Sequence, residues 1–185
     1  MALTSSSYKV LQRDSPAPGF SLPGIDGKTH SLKDFADRKA FLVVFMCNHC
    51  PYVQPKISKL VELHEKHAQK GLGMIGINCN DVSKYPDDSF ENMKRFSMER
   101  GIKFPYLLDE SQQSARSYGA TCTPDPFLFD ARQMLAYHGR IDDAHGQPHS
   151  MAKTNELEEA IQQTLAGKEV TIQTLPSMGC NIKWK

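Results

Sequence analysis

The chain has 185 residues, with Lys+Arg 22 against Asp+Glu 21 and a net charge of +1. That length suits one domain with a real core and falls short of two full ones. No basic stripe is present, so nucleic acid is not expected as a partner, and no apolar window reaches the length of a membrane span. The start, MALTSSSYKVLQRD, lacks a basic segment followed by an apolar core, so no signal peptide is read there and the expected compartment is the reducing cytoplasm. In that setting the five cysteines (Cys47, Cys50, Cys79, Cys122, Cys180) argue against a structural disulfide framework and for metal binding or redox work.

Residues 1–18 are polar and end in SPAPG, which reads as a loose lead-in. FSLPGIDGKTHSL has two short strand patterns around Pro23-Gly24 and Asp26-Gly27, a hairpin. Ser31 is placed to cap a short helix, LKDFAD. AFLVVFM (40–46) is apolar throughout and β-branched in its middle, as a strand covered on both faces would be. From residue 51 the period changes: Val53, Ile57, Leu60, Val61 and His64 recur at helical spacing up to Gly71. LGMIGINC (72–79) is a second buried strand, and NDVSKYPDDS a loop. Asp88 or Ser89 can cap the helix FENMKRFSMERG. PYLLD is a short strand, SQQSARSYG a short helix, and PFLFD with MLAYHGR an antiparallel pair. KTNELEEAIQQTLAG (153–167) is the last helix. A tail, 168–185, carries Cys180 and Trp184, and its apolar Ile182 and Trp184 predict that it docks. The alternation implies an α/β fold, a central mixed sheet with helices on both faces.

The chemistry concentrates in MCNHCPYV (46–53). Pro51 favours the first helical position, which makes Cys50 the expected N-cap. A thiolate there faces the N–H groups of Tyr52 and Val53 and the positive end of the helix dipole. Such placement lowers a cysteine pKa from about 8.5 into a range of roughly 3.5 to 7.5. Cys47 is three residues upstream, and a Cys47–Cys50 disulfide needs a tight loop. The plain alternative for Cys47 is a small buried residue at the strand end. Pro55 leaves the Pro51 carbonyl without its helical partner, so a bend in the first turns is expected.

Three stretches together resemble the peroxiredoxin/TlpA-type (AhpC/TSA) branch of thioredoxin-like proteins. APGFSLPGIDGKTHSLKDF is similar to that family's opening, and FLVVFMCNHCPYV to its strand, active-site loop and helix. YGATCTPDPFLFDARQMLAYHGRID is similar to its cis-proline segment and following hairpin. The resemblance covers about residues 16–166 and implies a single thioredoxin-like domain over 1–185, with an N-terminal β-hairpin extension. It places Cys50 at the attacking cysteine and Val53 where thioredoxin has its second one. Cys50-Pro51 resembles the peroxidatic Cys-Pro of peroxiredoxins, with Cys47 replacing their threonine. Thr123-Pro124 is similar to the cis-proline pair that packs on the thiol, which would bring Cys122 near Cys50. By role, Arg140 would stabilise the thiolate or a peroxide oxygen. Cys180 matches the tail resolving cysteine of some peroxiredoxins, within the chain or on a partner subunit, so a homodimer is admitted.

The resemblance implies a thiol-disulfide oxidoreductase or peroxiredoxin-like protein. Cys50 would attack a peroxide or a protein or small-molecule disulfide, with Cys47, Cys122 or Cys180 resolving. Electrons would come from a thiol reductant system, and no cofactor is required. The alternatives are a Cu(I) or Zn(II) site at Cys47, His49, Cys50 and Cys122, with His138 or His145 as a distant ligand, or a non-catalytic thioredoxin-like module. Asp81, Asp142 and Asp143 read as loop residues and Cys79 as core.

Overall fold

A computed structural model describes residues 2–185. The strand β4 (Ala40–Phe45) is buried at every position, because AFLVVF offers no polar side chain to either face. It pairs in parallel with β5 (Leu72–Asn78) and antiparallel with β8 (Asp125–Asp130). Outside these lie β6 (Tyr106–Leu108) and β9 (Leu135–His138), giving a five-stranded sheet in the order β6-β5-β4-β8-β9.

Side chains alternate across this sheet. Leu42 and Val44 point to one core, which they share with Ile57, Leu60 and Leu63 of α1 (Ile57–His67), Met93 and Phe96 of α2 (Phe90–Arg100), and Leu157 and Ile161 of α4 (Glu156–Leu165). Phe41, Val43 and Phe45 point to the other, with Phe127, Phe129 and Tyr118 of α3 (Gln113–Tyr118). Phe41 stacks on Phe35 at 4.3 Å and lies against Phe20 and Phe129 at 6.2 and 6.4 Å. The expected hairpin is β2 (Ser21–Pro23) with β3 (Thr29–Ser31). It leads into one 3-10 turn, Leu32–Phe35, where Asp34 Oδ2 accepts the N–H of Ser31 at 2.7 Å.

Two expectations change. The lead-in is not loose: β1 (Leu3–Ser5) pairs with β10 (Met178–Asn181), and β10 pairs with β7 (Cys122–Thr123). That small antiparallel sheet is held by main-chain groups, which leave no side-chain pattern to read. Second, the regular helix starts at Ile57 and not at Pro51. Val53 and Gln54 donate to Cys50 O at 3.0 and 3.1 Å, and Gln54–Lys56 form a 3-10 turn. Pro51 and Pro55 have no N–H to give, so an α-helical ladder cannot run through them. Asp142 lies in a loop, as read, and is buried there, paired with the buried Lys56 at 2.5 Å and with His149 Nδ1 at 2.8 Å. The tail docks as its apolar residues predict: Ile182 is buried, and Trp184 lies 4.4 Å from the guanidinium of Arg116.

Among the described residues no helix is long and apolar enough to cross a membrane. Phe41→Ala removes the ring common to three aromatic contacts and should lower the unfolding free energy by about 3–5 kcal/mol, read by urea denaturation.

Candidate active site

The loop after β4 and the segment after β5 leave the same edge of the sheet, since the two strands are parallel. Asp88 joins them. Its Oδ1 accepts Asn48 N at 2.8 Å, its Oδ2 accepts Asn80 Nδ2 at 2.8 Å, and its own carbonyl accepts Asn78 Nδ2 at 2.8 Å. Asn48 is held further by the buried Tyr106 hydroxyl at 3.0 Å and by Gln54 Nε2, which donates to its carbonyl at 2.9 Å. This network makes the 47–50 loop tight, the condition the Cys47–Cys50 pair requires.

The Thr123–Pro124 peptide is cis, as the resemblance implies. Thr123 lies between the thiols: its Oγ1 is 3.6 Å from Cys47 Sγ and its carbonyl 3.3 Å from Cys50 Sγ. As a thiol, Cys50 donates to that carbonyl. As a thiolate it accepts from the Cys47 thiol, the Thr123 hydroxyl, and both the thiol and the N–H of Cys180. These donors, the Cys47 thiol foremost, outweigh burial and bring Cys50 from the ordinary 9.0 down to about 5. The Cys47 thiol moves the opposite way, well up, because it donates a hydrogen bond to Cys50 and is itself buried. Burial and then the neighbouring Cys50 push Cys180 up to about 12. Cys47, Cys50 and Cys122 are free thiols here. Cys50 has 0% of its surface exposed, Cys47 1% and Cys180 4%.

The low pKa was expected, but from other donors. Val53 N–H does not supply it, since it turns to the carbonyl of Cys50, and the sulfur is served by Cys47, Thr123 and Cys180. Cys122 neighbours Thr123 yet faces the other side of β7, with Sγ 3.9 Å from the Pro124 and Ser177 carbonyls. Burial, then Asp125, raises its pKa. Arg140 is not joined to a thiol by any described hydrogen bond. Glu156 Oε1 accepts both its Nε at 2.8 Å and its Nη2 at 2.5 Å, and this charge-assisted contact holds the guanidinium away from other work. His138 is buried on Asp125, 2.8 Å away, with its ring 3.8 Å from that of Phe127. Cys79 is a buried residue, as read, and burial raises its pKa.

Asp88 is the residue sequence reasoning missed, having read it only as a cap for α2. The signal was available: it follows a strand that runs parallel to the one carrying the cysteines. His49 Nδ1 lies 2.7 Å from Asp88 Oδ2, and its ring stacks on Tyr85 at 5.7 Å and 5°. That contact with Asp88 raises the His49 pKa against the opposing effect of burial. Burial pushes the Asp88 carboxyl up, but His49 and Asn80 together hold it below the usual range. Cys47 Sγ, His49 Nδ1 and an Asp88 oxygen lie within 4.8 Å of one another, a set able to hold a metal ion.

A family model described as AhpC/TSA family matches residues 14–138. The chain belongs to the AhpC/TSA family. Among curated relatives, the thiol-disulfide oxidoreductase ResA of Bacillus anthracis is 28% identical over 120 residues, which is 65% of either chain. That of Geobacillus thermodenitrificans is 26% identical over 118 residues, 63% of this chain and 62% of the relative. The match thus spans about two thirds of those relatives' length. A crystal structure of an uncharacterized conserved protein from Geobacillus kaustophilus superposes with TM-score 0.92 at 37% identity, over 100% of this chain and 97% of that one. A peroxidoxin BcpB from Mycobacterium tuberculosis, at TM-score 0.61 and 13% identity over 88% of this chain and 99% of that one, shares the fold. The fold is thioredoxin-like, a central mixed sheet with flanking helices and an N-terminal hairpin.

Protonation switches the reactivity of Cys50 off, so its alkylation rate should fall as pH drops through about 5 and stay level from there to neutrality. Cys47→Ala removes the largest stabilising donor and should move that midpoint up toward the ordinary value, measured by iodoacetamide kinetics with peptide mapping.

Proposed function

We propose that this protein is a thiol-disulfide oxidoreductase in which Cys50 attacks and Cys47 resolves. The observation that carries this reading is that Thr123 lies against both thiols, its Oγ1 3.6 Å from Cys47 Sγ and its carbonyl 3.3 Å from Cys50 Sγ, with Cys47 and Cys50 on one loop held tight by Asp88. The Cys50 thiolate attacks one sulfur of a substrate disulfide, forming a mixed disulfide and expelling the other half as a thiolate. Cys47 then loses its proton and attacks the Cys50 sulfur. The Cys47–Cys50 disulfide forms and the second substrate half leaves as a thiolate. A thiol reductant returns two electrons and two protons. The names of the curated relatives support the same chemistry.

Two features favour a disulfide over a peroxide as oxidant. A cysteine, Cys47, stands where the resemblance would put the peroxidatic threonine, and Arg140 is committed to Glu156. The substrate is then a protein or small-molecule disulfide. Cys180 remains a second resolving thiol, since its thiol also reaches Cys50. Whether one chain or a homodimer acts does not alter these steps, which use one chain's residues.

A metal reading is supported by Cys47, His49 and Asp88, whose ligand atoms are preassembled. With the adjacent Cys50 thiolate they suit Zn(II), and the two thiolates alone suit Cu(I). Cys122, turned away, drops out of that set.

Treating the reduced protein with glutathione disulfide should give a loss of two hydrogens mapping to Cys47 and Cys50. Cys50→Ser should abolish the reaction, and Cys47→Ser with Cys180→Ser should leave a stable mixed disulfide on Cys50. All thiols remaining alkylatable would overturn the proposal. Stoichiometric zinc or copper, lost in His49→Gln and Asp88→Asn, would move the assignment to the metal reading.

A further inference from the structure

A disulfide substrate must touch the Cys50 sulfur, and that sulfur is shut in. It is enclosed by Cys47 on its own loop, Thr123 on β7, and Cys180 on β10. The first two cannot move without the core: Cys47 continues β4, and Thr123 runs through Pro124 into β8, and both strands belong to the five-stranded sheet. β10 lies near the end of the chain, in a separate small sheet, antiparallel to β1 on one side and β7 on the other.

Its register is informative. Cys180 sits opposite Thr123, whose carbonyl lies 3.3 Å from the Cys50 sulfur, and its thiol and N–H are among the groups that lower the Cys50 pKa. The tail thus presents a cysteine to the nucleophile from an extended, main-chain-paired strand. Gly179, just before it, allows this approach. A Cβ there would stand 1.9 Å from Thr123 O and 2.7 Å from Thr123 C, backbone atoms that cannot give way.

We propose that β10 is an internal pseudosubstrate: it fills the slot in which an extended, disulfide-bearing peptide meets Cys50, and it leaves that slot for exchange to occur. This rests on the exchange reading above and adds the class of substrate. The peptide pairs antiparallel with Cys122–Thr123, puts its cysteine opposite Thr123 and carries glycine before it. Main-chain hydrogen bonds supply the pairing, and the close Gly179 approach supplies the selection.

The anchors of β10 fit a cover that exchanges. Beside the buried Ile182 and Cys180 and the Trp184–Arg116 contact, they are hydrogen bonds that water or a peptide can replace. Ser177 Oγ donates to Pro124 O at 2.6 Å, Ser6 N donates to Ser177 O at 2.9 Å, and Lys183 N donates to Asn80 Oδ1 at 2.9 Å.

The probes are the peptides Ser-Met-Gly-Cys-Asn-Ile and Ser-Met-Val-Cys-Asn-Ile, each as its mixed disulfide with thionitrobenzoate. Release of thionitrobenzoate by the reduced full-length protein should be at least about tenfold faster with the glycine peptide. Equal rates overturn the proposal. In the full chain, Gly179→Val should dislodge β10 and raise labelling of Cys50 by a bulky maleimide at least about tenfold, with the far-ultraviolet spectrum retained. Unchanged labelling also overturns it. Should Gly179→Val fail to fold, the peptide comparison decides alone. Glutathione disulfide separates the two readings. If it reacts at Cys50 while the two peptides react equally, the pseudosubstrate fails and the exchange reading stands. If no disulfide reacts at Cys50, the exchange reading fails, and maleimide labelling still reads the cover.

Discussion

A sulfur anion with no exposed surface needs its donors from the protein, because water cannot supply them. Around Cys50 those donors are the Cys47 thiol, the Thr123 hydroxyl, and the thiol and N–H of Cys180. They come from distant stretches of chain: the loop after β4, the strand before the cis-proline, and the C-terminal strand. Each stretch must be positioned for the others to matter. The central sheet places β4 beside β8, and so brings Thr123 over the loop. The small sheet then brings Cys180 over Thr123.

The same constraint divides the labour between the two nearest thiols. The proton that Cys50 gives up is compensated by one that Cys47 keeps, so the pair is asymmetric before any substrate arrives. Asp88 maintains the asymmetry. Its carboxylate binds the loop N–H groups and His49, and its negative charge near Cys47 raises the cost of a second thiolate. A buried carboxylate with that many donors stays ionised. The three groups that could ligate a metal are the ones that set this thiol asymmetry, so the two chemistries compete for one place.

Much of this was legible in the residues. AFLVVFM had to be a central strand, because nothing in it tolerates water, and LGMIGINC had to lie beside it. The hairpin, the capped helix ending at Gly101 and the pair PFLFD with MLAYHGR followed from turn chemistry and period. Cys50-Pro51 at a strand end marked the candidate nucleophile. The helix start was misplaced by six residues' worth of irregular turns, Pro51 to Lys56, since two prolines in one turn break the ladder that a hydrophobic period cannot report on. The lead-in was read as loose because strand pairing through main-chain groups leaves no trace in a polar sequence.

The sequence by itself determined the chain order of the central strands and helices, the helix faces and the candidate attacking thiol, all of which depend on local period, turn residues and one proline. Only the tertiary structure decided which groups serve that thiol. Cys122 and Cys180 looked alike as cysteines remote from Cys50. One turned away and the other turned in, because successive residues of a strand face opposite sides and the register of β10 against β7 sets Cys180 opposite Thr123. Arg140 looked available and was taken by Glu156. Asp88 looked like a helix cap and became the organiser of the loop. Contacts between residues far apart in the chain depend on register and packing, and neither is written in local spacing.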